Sequence, residues 1–452
     1  MSEPRSSSGA RIVVLCTWIS SCLGAAPAPE WPQFRGPQAS GVNTNRPAPT
    51  HWNVESGENI RWQTDLPGLA HSSPIIAGDR IYLTTAVKPG RSELKVGLYG
   101  DIDPVIEKES HQWRLLALHR STGTVVWSTL GHESIPRVQR HTKSSHCNSS
   151  PATDGKRIVA LFGSEGLFCF DTAGHPLWHH DLGPMDSGYY QSPTAQWGFA
   201  SSPVLHQGRV IVLCDVQKDS FLAVFDLESG RELWRTPRKD VPTWSTPTVV
   251  ATSDGPQVVV NGWHQSGGYD LRTGRQLWTL DGGGDIPVPT PIVSNGFLIL
   301  TSAHGGLRPM RAIRPIARGN ISPSDPAQTN AAIAWVHPRQ GNYMQTPIAV
   351  GGSIYGCIDS GILTCFDAGT GRIRYSERLS NIGEGFTASP VSDGRNLYFA
   401  SEPGNIYVVP ASGVFSVIAT NRMTATCMAS PALVDGTLLI RTRDKLVAIG
   451  HR

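Results

Sequence analysis

The sequence predicts an all-β fold, an eight-bladed β-propeller whose blades are four-stranded antiparallel sheets. Three observations predict it. A Ser/Thr-Pro step opens each of eight repeats along the 452 residues, several repeats end in a glycine turn followed four residues later by Trp, and the two ends of the chain complement each other. Four-stranded sheets that repeat roughly four to eight times are typical of propellers.

The repeat at residues 346–379 shows the pattern of one blade. Gly- and Asp-rich turns separate four runs of strand-forming residues, at 347–350, 353–358, 362–366 and 372–378. Such punctuation indicates β-hairpins. Proline has no N–H to give to a strand ladder, so each Ser/Thr-Pro step fits the start of a strand. The eight steps are Ser73-Pro74, Ser150-Pro151, Ser202-Pro203, Thr246-Pro247, Thr290-Pro291, Thr346-Pro347, Ser389-Pro390 and Ser430-Pro431.

A large aromatic residue closes most repeats. In Glu228-Ser229-Gly230, for example, the glycine supplies the positive φ of a tight turn and Trp234 follows in the outermost strand. An aromatic ring at a fixed place in the outer strand can pack against the neighbouring sheet. The residues assigned this structural role are Trp62, Trp127, Trp178, Trp234, Trp278 and Trp335.

The two ends of the chain predict a closed ring. After Ser430-Pro431 only three strands remain, at 432–433, 437–441 and 445–449, whereas the strand-like segment 59–66 precedes the first repeat. This early segment can complete the eighth sheet and remove an exposed edge. We therefore expect a propeller at residues 59–452, preceded by a lead-in segment at 31–58.

Residues 1–26 are predicted to be a signal peptide. Arg5 and Arg11 precede an apolar run at 12–19 that has the length of a secretory signal rather than of a spanning helix. The sequence Ile19-Ser20-Ser21-Cys22 resembles a bacterial lipobox, in which Cys22 would become the lipidated first residue. Simple secretion is the alternative. Both indicate a periplasmic or extracellular protein without a transmembrane span.

The composition limits the kinds of partner that the protein is expected to bind. The net charge is +3 and the basic residues form no stripe, so we expect no nucleic acid. The repeat pattern places the cysteines after residue 26 far apart in separate blades, and we expect them to be buried thiols rather than disulfides. Nothing predicts an oligomer, so a monomer is expected.

One face of the ring collects the polar loops. In a meander, the loops before each Pro and the hairpins between the second and third strands point the same way, and they carry most of the His and unpaired Trp. We expect a site there for a protein, a glycan or a small ligand. The predicted ligand-binding residues are His71, His141, Lys143, His146, Glu165, Asp215, Trp244, Trp263, His264, His304 and Gln345.

Ordinary structural roles are the alternatives at these positions. Trp244 and Trp263 would cap the core, and the basic segment around Lys143 would be solvated. With Arg137 and Arg140, the same segment also favours a site for an anion or an acidic partner. His71, His264 and His304 would form a metal site if they met around the central channel of the ring. Spacing alone does not show that they converge, and no metal site is predicted.

The blade endings LESGRELW and LRTGRQLW resemble the tryptophan-docking repeats of proteins related to pyrroloquinoline quinone (PQQ) dehydrogenases. With WPQFRGP, GSEGLFCFD, VVNGW and CMASP, the chain resembles the bacterial PQQ-binding-like β-propeller repeat proteins, a family related to the BamB-type outer-membrane assembly lipoprotein. The resemblance covers residues 31–450.

The resemblance implies two functions. A PQQ-dependent dehydrogenase oxidising an alcohol or a sugar would carry a vicinal Cys-Cys disulfide, calcium ligands and a catalytic Asp, but the sequence has no Cys-Cys pair and no Cys-x-x-Cys-His haem motif. It has no Gly-x-Ser-x-Gly elbow of a hydrolase either. We therefore expect a non-catalytic binding or assembly propeller of the cell envelope, without a cofactor. PQQ with calcium is the alternative.

Overall fold

Each of the eight repeat-opening Ser/Thr-Pro steps immediately precedes the innermost strand of a blade, where the missing proline N–H costs no ladder bond. The structure is a computed structural model that describes residue 1 and residues 30–97 and 103–451. The predicted signal sequence and Cys22 lie, apart from residue 1, outside the described residues.

The strands form eight blades in chain order. An early strand, β1 (Ile60–Asp65), precedes the first blade. Blade one contains β2 (Ile75–Ala77), β3 (Arg80–Val87), β4 (His111–His119) and β5 (Val125–Ser134). Blade two contains β6 (Ala152–Thr153), β7 (Arg157–Leu161), β8 (Leu167–Asp171) and β9 (Pro176–His180). A separate hairpin of β10 (Gly188–Tyr189) and β11 (Ser192–Gln196) follows.

Blades three to five come next. Blade three contains β12 (Val204–His206), β13 (Arg209–Cys214), β14 (Phe221–Asp226) and β15 (Glu232–Pro237). Blade four contains β16 (Thr248–Val250), β17 (Gln257–Val260), β18 (Ser266–Asp270) and β19 (Gln276–Leu280). Blade five contains β20 (Ile292–Ser294), β21 (Phe297–Thr301), β22 (Met310–Ile313) and β24 (Ile333–His337), while β23 (Gly319–Asn320) pairs in parallel with β19.

Blades six to eight complete the circle. Blade six contains β25 (Ile348–Val350), β26 (Ser353–Cys357), β27 (Ile362–Asp367) and β28 (Ile373–Arg378). Blade seven contains β29 (Val391–Ser392), β30 (Asn396–Ala400), β31 (Asn405–Pro410) and β32 (Ala419–Arg422). Blade eight contains β33 (Ala432–Val434), β34 (Thr437–Arg441) and β35 (Lys445–Ile449). Short 3-10 turns lie at Pro37–Ala39 and Gly163–Glu165.

The amino-terminal strand closes the ring, as the sequence predicts. β1 pairs antiparallel with β35, with Trp62 opposite Ala448 and Asp65 opposite Lys445. The eighth sheet therefore has four strands in the order β1-β35-β34-β33. This pairing covers the outer edge of β35, which would otherwise lie open.

Tryptophans of the outer strands join neighbouring blades. The indole N–H of Trp178 donates to the carbonyl oxygen of Leu227 in the turn of the next blade at 3.0 Å, and its ring lies against Gly230. His180, two residues along the same strand, contacts the carbonyl of Gly230 at 2.6 Å. Equivalent indole bonds to the next blade are made by Trp62, Trp127, Trp234 and Trp335.

Trp278 differs because the blade that follows it has no matching turn. Its indole N–H donates to Gln257 within its own blade at 2.9 Å, and it is 1% exposed. The long connection between β22 and β24, residues 314–332, is an insertion in the fifth blade, and its residues Ala317 and Ile321 pack in the same apolar cluster. The insertion therefore covers the ring that a glycine turn covers elsewhere.

The core lies between adjacent blades. The inner three strands of each blade are almost wholly buried, and the outer strands are exposed on one side. The six cysteines of the described residues are free and buried. None of the helical segments within the described residues has the length and apolar character needed to span a bilayer.

Candidate functional site

A cavity of about 170 Å³ lies on the axis of the ring. Hydroxyl groups of the Ser/Thr-Pro steps line it, because each step begins an innermost strand. The backbone N–H of one step donates to the hydroxyl of the step in the next blade, at 2.8 Å from Ser73 to Ser150 and 2.9 Å from Ser389 to Ser430. Further links of this kind start at Ser150, Ser202, Thr290 and Thr346.

The lead-in segment closes one end of this cavity. Gln33 accepts the N–H of Leu205 in blade three at 3.1 Å, and the Arg35 guanidinium donates to the carbonyls of Pro347 and Pro390 at 3.1 and 3.0 Å. Blades three and seven lie on opposite sides of an eight-bladed ring, so the segment crosses the axis between them. Phe34 lies between these anchors and lines the cavity. The cavity therefore opens towards the loop-rich face.

Aromatic and aliphatic side chains form the wall near the opening. Trp244, Ile286 and Tyr343 pack in one cluster with the half-buried Trp197 and Met344, and all five line the cavity. The indole N–H of Trp244 donates to the carbonyl of Gly198 at 2.9 Å, which fixes its ring against the wall. Apart from the hydroxyl groups of the Ser/Thr-Pro steps and a few other polar side chains, the lining of the cavity is apolar.

One side of the opening carries a bonded ion pair. Lys143 Nζ lies 2.7 Å from Glu402 Oε1, and Thr387 Oγ1 donates to the same oxygen at 2.6 Å. His71 Nε2 donates to the carbonyl of Lys143 at 2.9 Å. Burial lowers the pKa of His71 to about 3, so its imidazole is neutral at neutral pH. His71 therefore acts here as a neutral hydrogen-bond donor.

The opposite side carries a carboxylate bound by aromatic donors. His304 Nδ1 lies 2.6 Å from Asp285 Oδ1, while the hydroxyls of Tyr189 and Tyr190 donate to Asp285 Oδ2 at 2.8 and 3.4 Å. Burial, followed by the neighbouring Asp285, raises the pKa of Tyr189 well above its ordinary value. The His304 backbone has φ +79°, a conformation that only a few non-glycine residues adopt.

An aromatic row extends from this group to the rim. The rings of Tyr190 and Trp263 are 4.3 Å apart, and those of Trp263 and His264 are 3.9 Å apart. Trp263 is half-buried and His264 is exposed. These residues offer partly exposed ring faces beside the Asp285 carboxylate.

The structure brings together only some of the predicted residues. His71, Lys143 and Trp244 line the cavity, and His304, Trp263 and His264 lie along the aromatic row. His141 is buried beneath the wall, where its ring stacks on Trp197 at 4.1 Å.

Asp215 and Glu165 lie in buried networks instead. Asp215 forms a two-point ion pair with Arg238 at 2.7 and 3.0 Å, both side chains being fully buried. Glu165 accepts the N–H of Arg137 at 3.1 Å and the hydroxyl of Ser134 at 3.2 Å. These contacts hold loops in place, and neither carboxylate lines the cavity.

The remaining predicted residues lie inside the protein. Gln345 is buried, and among the described residues its side-chain amide has no hydrogen-bond partner, whereas His146 lies 3.1 Å from Glu107. Arg140 is buried and donates to Glu107 at 2.9 Å, whereas Arg137 binds Asp181 at 2.8 Å. Because the chain's own acids hold the side chains of Arg137, Arg140 and Lys143, this segment offers no open cluster of cations.

Several lining residues carry no sequence signal of the repeat. Phe34 comes from the lead-in, and Trp197 follows the extra β10–β11 hairpin. The segment YYQSPTAQW, residues 189–197, is rich in aromatic residues and interrupts the spacing between blades two and three. That interruption is the signal that could have identified it.

The sequence matches the profile of the family described as outer membrane protein assembly factor BamB, over residues 40–212 and 114–377. The two matches together span most of the chain. The chain belongs to this family of PQQ-repeat β-propellers. A comparison with curated proteins finds no match for the sequence.

Solved structures share the fold of this family member at low identity. The crystal structure of BamB from Moraxella catarrhalis is 13% identical, with a TM-score of 0.53, and the match covers 80% of this chain and 98% of that one. A europium-containing methanol dehydrogenase is 11% identical, with a TM-score of 0.57 and coverage of 92% and 89%. The computationally designed Ika8 protein is 11% identical, with a TM-score of 0.54 and coverage of 86% and 99%. At such identities the likeness concerns the fold alone.

Proposed function

We propose that this PQQ-repeat propeller is a non-catalytic binding or assembly module of the cell envelope, which holds a segment of a partner protein at its loop-rich face. One observation carries the proposal: the axial cavity is apolar, is closed at one end by Phe34 and is walled at its opening by Trp197, Trp244 and Tyr343. Buried aromatic pockets at the centre of a surface are where protein interfaces gain most of their affinity.

The size of the cavity favours a side chain over a free small molecule. Sites for drug-sized ligands are commonly about 300–1,000 Å³, and this cavity measures about 170 Å³. A large apolar side chain of a partner would enter it, and the rim would contact the flanking partner residues. The Lys143–Glu402 pair and Asp285 would meet polar groups there.

The cavity lining supports a function without a quinone. PQQ is a planar tricarboxylate, and it would need several cations around it. Lys143 is the only lining side chain among the described residues that is cationic at neutral pH, and Glu402 already binds it. Calcium prefers carboxylate and other oxygen ligands, yet no carboxylate lines the described cavity. The residues present therefore do not fit the group.

Binding of a glycan is a second candidate. The row of Tyr190, Trp263 and His264 favours it, because partly exposed aromatic faces stack on sugar rings and the nearby Asp285 can accept hydrogen bonds from sugar hydroxyls. The two candidates use different residues of the face, so variants can separate them.

The test compares Trp197→Ala, Trp263→Ala and Leu177→Ala, each as the mature chain. Leu177 is an exposed apolar residue of outer strand β9 and serves as the matched control. For a protein partner recovered from envelope extracts, Trp197→Ala should weaken binding about 30-fold, as loss of a central aromatic anchor does. A glycan array signal lost only in Trp263→Ala would favour the second candidate. Dye reduction by the chain with PQQ, calcium and an alcohol would overturn both.

We further propose that the protein reaches the periplasm or the cell surface through residues 1–26 and is anchored by a lipid on Cys22. The family name supports an envelope location. Metabolic labelling with a fatty acid should mark the wild type and not Cys22→Ser. An unlabelled wild type that is still exported would remove the anchor and leave secretion.

A further inference from the structure

The connection between β3 and β4 is a long insertion in the first blade. Three side chains able to bind metal meet where this first-blade insertion joins β4. Their potential ligand atoms, from Glu107, His111 and His146, all lie within 4.8 Å of one another. Their side chains are 4%, 2% and 6% exposed, so the group is almost fully buried. This cluster is distinct from the axial cavity, whose lining includes none of the three.

Within the described part of the chain, His111 presents a buried nitrogen that has no hydrogen-bond partner. Its Nδ1 lies 2.9 Å from the carbonyl oxygen of Glu109, which can only accept, so Nδ1 carries the proton. When the ring is neutral, Nε2 then carries a lone pair and no proton. Among the described residues Nε2 makes no hydrogen bond, although it lies 3.6 Å from Glu107 Oε2. A buried acceptor left in this way is costly unless something binds it.

The arrangement of His111 is typical of a metal ligand. Metal-bound histidines commonly donate their other N–H to a carbonyl or a carboxylate, which fixes the tautomer. The backbone of His146 is also held, because its carbonyl accepts the indole N–H of Trp113 at 2.9 Å. The Trp113 ring lies 5.8 Å from the His111 ring and 6.3 Å from the His146 ring, which gives the cluster an apolar neighbour.

The separations are close to those of a zinc site. Zinc–ligand bonds of about 2.0–2.1 Å place neighbouring ligands of a tetrahedral ion about 3.3 Å apart. Glu107 Oε2 lies 3.1 Å from His146 Nε2 and 3.6 Å from His111 Nε2. The two histidines need only small movements to meet one ion beside this oxygen.

Two cations share the Glu107 carboxylate. Arg140 Nε lies 2.9 Å from Oε2, and Lys88 Nζ lies 3.2 Å from Oε1. A carboxylate oxygen has two lone pairs, so Oε2 can accept from Arg140 and still bind an ion. Arg140 then orients the carboxylate, but its charge and that of Lys88 weaken binding of any cation.

We propose that Glu107, His111 and His146 bind one divalent ion of the zinc class, with water as the fourth ligand. Imidazole with a single carboxylate suits zinc and its neighbours rather than calcium or magnesium. The ion would tie the end of the insertion to the loop before Ser150. It would therefore fix a part of the loop-rich face without joining the axial cavity.

The experiment uses the mature chain without a polyhistidine tag, stripped with a chelator. Zn²⁺ is titrated against a chromophoric competitor, and Co²⁺ is added separately to record the visible absorption of a tetrahedral site. We expect one ion per chain. At a Zn²⁺ concentration a hundredfold above Kd, Tm should rise by about 3 °C.

Variants locate the ion. His111→Gln and His146→Gln should each weaken binding by more than the about 10- to 100-fold that loss of an outer hydrogen-bond partner causes. His132→Gln is the matched control, because His132 also lies near Trp113, at 5.9 Å, but bonds Ser134 instead. If His111→Gln does not fold, His146→Gln in the loop provides the test. A wild type that binds no Zn²⁺, or an ion retained by the folded variants, would overturn the proposal.

Discussion

Replacing Gly230 by Ala tests the contact that joins blades two and three. A Cβ added at Gly230 would lie 2.8 Å from Cγ and from Cδ2 of Trp178, and Gly230 has φ +73°. Gly208 has φ +72°, and no atom of the described residues lies within 4 Å of its added Cβ, so it is a matched control. Both substitutions pay about 1–2 kcal/mol for the left-handed backbone. Only Gly230→Ala also displaces a packed ring, which costs about 1–3 kcal/mol more.

Urea denaturation followed by circular dichroism measures the difference. At an unchanged m value, the midpoint of Gly230→Ala should correspond to a free energy of unfolding about 1–3 kcal/mol below that of Gly208→Ala. In a Trp178→Leu background the extra loss should largely disappear, because the ring that clashes is gone. Equal losses for the two alanine variants would refute the claim that the Trp178 ring sits tightly on Gly230.

Other predictions concern His71, Trp62 and Arg35. The folded pKa of His71, about 3, lies below the unfolded value of about 6.5, so its contribution to the free energy of unfolding is complete above pH 6.5 and falls by about 2 kcal/mol at pH 5. His71→Gln should therefore lose less stability than the wild type between pH 7 and pH 5, and equal losses would contradict this. Trp62→Ala should lower the free energy of unfolding by about 3–5 kcal/mol, because it removes a ring that packs where β1 closes the propeller. A loss below about 1 kcal/mol in a urea titration would argue against closure by β1. Arg35→Met should make the lead-in segment more sensitive to limited proteolysis, because the buried Arg35 guanidinium binds carbonyls of two blades. An unchanged cleavage pattern would show that Arg35 does not hold the segment.

The repeat made the fold predictable from sequence. In blade six the predicted strands at 347–350, 353–358, 362–366 and 372–378 differ from the observed ones by at most one residue at any end. The pairing of β1 with β35 followed from a count of strands at the two chain ends. Local turn chemistry and strand composition determine these features, and both can be read from a short stretch.

The site was less predictable because it depends on which loops converge. Glu165 and Asp215 follow second strands, where loops of the predicted face begin, but both carboxylates are buried and are bound by Arg137 and Arg238. The sequence does not show which acidic side chain meets which basic side chain in the folded protein. Glu107 and His111 show the same limit, since their spacing in the sequence does not indicate that His146 lies beside them.

The lead-in shows a different limit. Its Gly/Pro-rich composition gives no strand or helix period, so nothing in it predicts that Phe34 crosses the axis. That position depends on Gln33 and Arg35, whose partners are backbone atoms of distant blades. Main-chain partners leave no complementary residue type in the sequence.

Site-specific photo-crosslinking in cells tests whether a partner protein docks over the axial cavity, as proposed. A photoreactive residue would replace Met344, which lines the cavity, and Leu177, which is exposed on outer strand β9. We expect a discrete crosslinked envelope protein from position 344 that Trp197→Ala abolishes, and none from position 177. Crosslinking from position 177 alone, or from both positions irrespective of Trp197, would contradict it.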